Sequence, residues 1–299
     1  MDHRYTRGLS MQLGLGTVQF GLDYGITNAS GQVTLEEAER ILALCAKSHI
    51  DLFDTAAAYG DSERVLGQLL PTTFKDKSEQ VVTKLPPCEQ LDLGEIDRLF
   101  RQSLKNLKRE RIYGLMLHYG ADLLAPQGKE IYNKLQEFQS EGRVEKIGVS
   151  VYEPEITEDI FERYDLDLVQ LPLNVLDQRF ITSGVLAKLK AKGVEVHVRS
   201  AFLQGLLLME FEALPDYFRQ FNTELVPYFE ARGAEPLVPA IQFIKRLGLV
   251  DQLIVGVTNQ MELAQILNAY NQDNNPISQL DVSRFACSDE RLILPTNWP

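Results

Sequence analysis

The feature that most narrows the choice of fold is a regular alternation of short β-rich runs with longer stretches of helical periodicity. The runs are MQLGLGT (11–17), IDLFDT (50–55), QVVTKL (80–85), IYGLMLH (112–118), VEKIGVS (144–150), LDLVQLP (166–172), VEVHVRS (194–200) and QLIVGVT (252–258). Several are apolar almost throughout, as strands covered on both faces must be. Strand–helix alternation builds a parallel sheet, and eight such units in 299 residues fit one closed (β/α)8 barrel of the TIM type. The spacing predicts a single domain over 1–299, with about 1–10 and 280–299 as terminal segments. No linker, low-complexity stretch or repeat divides it.

The segments between the runs carry helix signals. Thr34 to Glu37 reads as a capping box ahead of Leu35, Ala38, Ile41, Leu42 and Cys45 at helical spacing. Asp61 or Ser62 is expected to cap a second helix, and Asn259 with Glu262 to cap the last. Further helices are predicted at about 94–108, 128–140, 153–163, 181–192 and 236–247. The irregular stretches, about 205–235 and 271–299, are expected to cap the open face of the barrel, and residues 1–10 read as a polar tail.

A formal net charge of -12 opposes attraction to nucleic acid or to an anionic membrane. No run is long and apolar enough to span a bilayer, and no signal peptide opens the chain. A cytoplasmic location is therefore expected. Cys45, Cys88 and Cys287 show no ligand spacing and read as reduced, structural thiols.

The stretch FDTAAAYG places Asp54 at the end of the second run and Tyr59 in the loop behind it. The third and fourth runs also stop at ionisable residues, Lys84 and His118. All strand C-terminal ends of such a barrel open on one face, so these groups can meet there although far apart in sequence. A phenol titrating near about 10 donates poorly at neutral pH, and a nearby ammonium lowers that value. Lys84 is expected within hydrogen-bond reach of the Tyr59 hydroxyl, Asp54 to keep Lys84 charged, and His118 to orient a carbonyl oxygen. The set suits proton transfer to a carbonyl. Singly, each has a plainer role: Asp54 can cap a turn, and Lys84 can be a solvated strand end.

With LGLGT at 13–17, SERVLG at 62–67, TK at 83–84, LH at 117–118, EGRVEKIGVS at 141–150, VQLPLN at 169–174 and GVT at 256–258 in the same order, the chain resembles the aldo-keto reductases, from residue 13 to about Tyr270. The resemblance implies hydride transfer between NAD(P)H and a carbonyl. Tyr59 would be the general acid, Lys84 and Asp54 its tuning pair, and His118 the orienting donor. No GxGxxG loop follows a strand, so the barrel itself would hold the dinucleotide. The resemblance implies Ser150 and Gln170 at the nicotinamide carboxamide and Gly16 and Thr17 under the ring. It implies Ser200 to Gly205 along the pyrophosphate, and helix amides after Gly256 and Thr258 at phosphate.

Three residues depart from the family pattern. Val151 stands where an asparagine usually follows the serine. Arg199 stands where an aromatic residue usually stacks on the nicotinamide, adding a positive charge that would disfavour the oxidised cofactor. Glu262, at the start of the last helix, would repel a 2′-phosphate where relatives selective for NADPH carry Lys or Arg. NADP(H) is favoured by the resemblance, with NAD(H) an alternative. Phe20, Tyr24, Tyr119 and Trp298 are candidates to line the substrate mouth for an aldehyde, a ketone or a sugar-derived carbonyl compound. A cofactor-binding regulatory or redox-sensing protein with little turnover is the alternative to an enzyme. A metal-dependent hydrolase would need clustered ligands that the histidines do not supply, so no metal is expected. Oligomeric state is not legible.

Overall fold

The computed structural model describes residues 11–75, 79–219, 224–273 and 280–298. The expected 1–10 tail lies outside these. Eight parallel strands close into a barrel in sequence order. They are β1 (Gln12–Gly16), β2 (Leu52–Asp54), β3 (Gln80–Leu85), β4 (Ile112–Leu117), β5 (Val144–Ser150), β6 (Leu168–Pro172), β7 (Glu195–Arg199) and β8 (Gln252–Gly256). Closure is made by β1 on β8, with Gly16 beside Gly256.

The residues pointing out of the barrel pack under the helices. Leu15, Phe53, Leu115, Leu117, Val149, Val169, Val198 and Val255 belong to this layer, with Ala38, Ile41, Leu42 and Cys45 of the Leu35–Lys47 helix. The barrel interior is a smaller cluster of Leu52, Val82, Met116, Leu168 and Ile254. Below it, at the N-terminal ends of the strands, Glu195 accepts from Tyr113 at 2.6 Å, pairs with Lys146, and meets His197 Nε2 at 2.7 Å. Among the described residues this polar group occupies the N-terminal end of the barrel, opposite the end at which active sites of this architecture form.

Two of the three expected caps form. Thr34 Oγ accepts from Glu37 N, and Asn259 Oδ1 accepts from Glu262 N. That of the Ser62–Thr73 helix does not: Asp61 makes no side-chain cap bond, and the Ser62 hydroxyl is buried and donates to Thr17 O at 2.7 Å. The helix expected over 181–192 is divided at Ser183 and Gly184 into Arg179–Thr182 and Val185–Ala191, since glycine gives a helix little support. The irregular stretch after β7 holds the short turns Leu203–Leu208, Phe211–Ala213 and Asp216–Arg219 and the helix Leu225–Glu230.

Candidate active site

The loop after β2 is locked before any chemistry is considered. Gly60 has φ of 54°, and a Cβ there would stand 2.3 Å from Gly21 O, so the Tyr59 turn closes directly on the chain after β1. Only glycine accepts that conformation and that approach without strain. Ser62 and Glu63, both buried, then tie the turn to three strands. Ser62 bonds Thr17 O and receives Thr55 Oγ1 at 3.0 Å, while Glu63 receives Thr83 Oγ1 at 2.7 Å. In the sequence SERVLG reads as a family motif whose serine is a candidate helix cap. Its serine and glutamate are what fix Tyr59.

Asp54 and Lys84 form a buried pair, 2.6 Å between Oδ1 and Nζ, with side-chain exposures of 5% and 0%. Lys84 also donates to Thr55 O at 3.0 Å, and Asp54 Oδ2 accepts from Gln170 Nε2 at 2.8 Å. The expected hydrogen bond from Lys84 to the Tyr59 hydroxyl is not formed: the ammonium stands 5.1 Å from the Tyr59 ring centroid, its donors drawn to the two acceptors on and just after β2. Tyr59 meets His118 edge to face, ring centroids 5.6 Å apart.

The electrostatics correct one expectation. Burial pushes the Tyr59 phenol above its ordinary range, Asp54 adds to the rise, and Arg199 opposes it. Desolvation thus outweighs the pull of Arg199, and the phenol keeps its proton. Burial also pulls Lys84 down from its ordinary value, against the pull of Asp54. His118 is lowered to about 4 by burial and by Lys84, so its imidazole is neutral at physiological pH.

A cavity of about 980 Å³ opens above these groups. Asp54, Tyr59 and His118 line it, with Lys84 buried beneath. So do Gly16, Thr17, Ser150, Gln170, Arg199, Ser200, Gly205, Gly256, Thr258 and Glu262. Of the aromatics expected at the mouth, Tyr24 lines the cavity; Phe20, Tyr119 and Trp298 do not. Phe20 is buried in the core, Tyr119 is exposed, and Trp298 packs edge to face on Phe218 at 4.9 Å with its Nε1 donating to Leu292 O.

Three features of the cavity escaped the sequence reading. Gln19 lines it with a buried Oε1 that has no hydrogen-bond partner. Tyr152 lines it too, its ring centroid 4.1 Å from the Arg199 guanidinium carbon. The third is a strap. The loop after β7 turns through positive φ at Ser200, Leu203, Gln204 and Gly205 and bonds across the cavity to the loop after β1, Gln204 O accepting from Thr27 Oγ1 at 2.8 Å and Gln204 Oε1 from Ile26 N at 3.0 Å.

The start of the Gln260–Tyr270 helix departs from expectation. Thr258 N donates to Glu262 Oε2 and Gln260 N to Glu37 Oε1, each at 2.7 Å, and Glu262 N to Asn259. Amides expected to face a phosphate are therefore taken by the chain's own side chains, two of them carboxylates. Among the described residues no three His, Cys, Asp or Glu side chains converge on a metal position, and no helix is long and apolar enough to cross a membrane. Cys45, Cys88 and Cys287 are free thiols, the first two buried.

The sequence profile of the aldo/keto reductase family matches residues 12–286. An aldo-keto reductase of Strobilurus tenacellus is 23% identical over 247 residues, covering 82% of this chain and 71% of that protein. Among solved structures, the holo form of an aldo-keto reductase from Bacillus halodurans superimposes with a TM-score of 0.75 at 19% identity, covering 96% of this chain and 98% of that one. The glycerol dehydrogenase of Gluconobacter oxydans gives 0.69 at 21% identity, covering 96% and 93%.

Proposed function

The chain belongs to the aldo/keto reductase family, and on that premise we propose that it transfers hydride between NAD(P)H and the carbonyl of an aldehyde, ketone or sugar-derived compound at the cavity lined by Tyr59 and His118. The carrying observation is the meeting of Asp54, Tyr59, Lys84 and His118 at the ends of, or just behind, β2, β3 and β4.

A bound nicotinamide dinucleotide supplies or accepts the hydride, which no side chain can do. The residues present fit such a guest: the cavity of about 980 Å³ is large enough, and Gln19 Oε1 offers a buried acceptor with no protein partner. Ser150 and Gln170, side by side in the β5–β6 register, would hold the carboxamide. In reduction, Tyr59 gives its proton to the carbonyl oxygen, and neutral His118 donates a hydrogen bond to the same oxygen and orients it. A phenol held above its ordinary range stays protonated until an oxyanion develops beside it. The Lys84 ammonium then offsets the negative charge left on the phenolate, and Asp54 keeps Lys84 in place.

Leu22, Tyr24 and Leu208 line the cavity and are exposed, giving an apolar rim that accepts many carbonyl compounds. For the cofactor, the family likeness favours NADP(H), but the carboxylates of Glu262 and of Glu37, which accepts from Gln260 N at the start of the last helix, would repel a 2′-phosphate. The reading adopted here is NAD(H). Titration of the protein with NADH and NADPH tests it; tighter NADPH binding would reverse the assignment.

The test of the activity is loss of NAD(P)H absorbance with a panel of aldehydes, ketones and sugars, for wild type and Tyr59→Phe. The variant should lose about 10²- to 10⁴-fold in rate while binding cofactor as before. Unchanged reduction would remove Tyr59 from the mechanism.

A further inference from the structure

The cavity carries one strong charge that the proton chemistry does not use. Arg199 ends β7 and is the one Arg or Lys side chain among the described residues lining the cavity. Guanidinium stays charged at any working pH. Its face lies 4.1 Å from the Tyr152 ring centroid, Nη2 donates to Val151 O at 3.1 Å, and Nη1 reaches Ser200 Oγ at 3.4 Å. Among the described residues no carboxylate pairs with it. The two acids that line the same cavity are engaged elsewhere: Asp54 by Lys84 and Gln170, and Glu262 by Thr258 and Asn259.

A cation held by stacking and by two neutral oxygens, without a counter-charge, is prepared for an anion that arrives with a ligand. Two ligands could bring one: the cofactor through its pyrophosphate, or the substrate. Location decides between them. Arg199 lines the same cavity as Tyr59 and His118, and its bond to Val151 O, the residue after Ser150, holds it beside the Ser150–Gln170 pair at the reacting end. The strap at Ser200 to Gly205 lies further along the chain and is the part left for a pyrophosphate.

We infer that Arg199, braced by Tyr152, selects carbonyl substrates carrying a carboxylate or phosphate, and so is a specificity-determining residue of the site. The inference rests on the carbonyl-reductase reading above and narrows it to anionic aldehydes and ketones. A charge-assisted pair with guanidinium has the strength to favour the charged member of a matched pair by about tenfold or more.

The experiment compares kcat/KM for succinic semialdehyde against butanal, and for glyceraldehyde 3-phosphate against glyceraldehyde, in wild type, Arg199→Lys and Arg199→Met. Calorimetric binding of 4-hydroxybutanoate against 1-butanol is measured alongside. The expected result is a charged-to-neutral ratio of about tenfold or more in at least one pair, reduced in Arg199→Lys and near unity in Arg199→Met. The pair that responds tells carboxylate from phosphate. Ratios near unity in wild type for both pairs overturn the inference and leave the carbonyl reading intact. So does an Arg199→Met variant that binds NADH more weakly at an unchanged substrate ratio, which would assign the guanidinium to the cofactor. If Arg199→Met does not fold, the wild-type ratios and their decline with added salt decide. If no aldehyde is reduced but 4-hydroxybutanoate binds and Arg199→Lys weakens it, the anion site stands and the carbonyl reading falls.

Discussion

Asp54 accepts on both carboxylate oxygens, from Lys84 and from Gln170, in a place where both partners of the ion pair are buried. Removing the carboxylate therefore leaves a buried ammonium without a counter-charge, and Asp54→Ala should destabilise the protein by about 3–5 kcal/mol. Replacing both members, Asp54→Leu with Lys84→Met, should restore much of that, because two charges then need no desolvation. Urea denaturation of the three variants checks it. Equal loss in the single and double variants would show that the pair's charges are not the cause. The convergence of Asp54, Lys84 and His118 was legible because residue type and strand-end register are both written in the chain. What Tyr152, Gln19 and Ser62 do was not legible, since each depends on how a loop folds back over the barrel mouth. The direction of the Tyr59 shift is opposite to the one the sequence suggests. Sequence shows which charges are near but not how much water the fold removes.

At the level of elements, all eight strand runs are present within the expected bounds, since apolar runs of strand length flanked by helical periodicity leave little alternative. Six of the eight runs extend one to three residues beyond their strands, β2 keeping only Leu52–Asp54 of 50–55, while β3 and β5 match end to end; hydrophobicity continues past the point where ladder pairing stops. The strap after β7 runs into the stretch read as irregular, about 205–235, and its form depends on backbone conformations that the letters do not specify. Gly205 is the exception with a physical reason: at φ of 94°, a Cβ would stand 2.2 Å from Thr27 Oγ1. Gly205→Ala should push the strap off the loop after β1 at a cost of about 1–3 kcal/mol. Amides of residues 203–208 should then exchange faster with solvent, while β1 to β8 keep their protection. Hydrogen exchange read by mass spectrometry distinguishes this from global loosening, and an unaltered strap would refute it. At the last helix, Asn259→Ala should cost about 1 kcal/mol through loss of its cap, a change that urea titration detects.

The whole molecule places its polar groups at opposite ends of one barrel, and each end has its own acid limb. At the mouth, His118 is lowered to about 4 by burial and Lys84, against the usual 6.5. Between those values the unfolded chain binds a proton that the folded one refuses, so stability rises with pH across this interval and is lost as pH falls through it. The size is no more than about 3 kcal/mol, less for the part of the imidazole that water reaches. At the floor, burial works to raise the Glu195 carboxyl, but His197, Lys146 and Tyr113 together hold it down at about 2, against the usual 4.5. That contribution is present above pH 4.5 and falls away only towards pH 2. Acidification should therefore weaken the protein in two stages, the mouth first and the floor second. Thermal melting from pH 8 to 3 should show Tm declining below about pH 6.5, and His118→Gln should remove this upper stage while leaving the lower one. A melting temperature flat across the upper interval in wild type, or a decline that survives the substitution unchanged, would mean that His118 is not held neutral by the barrel. The orienting role proposed for that imidazole would then need a protonated donor.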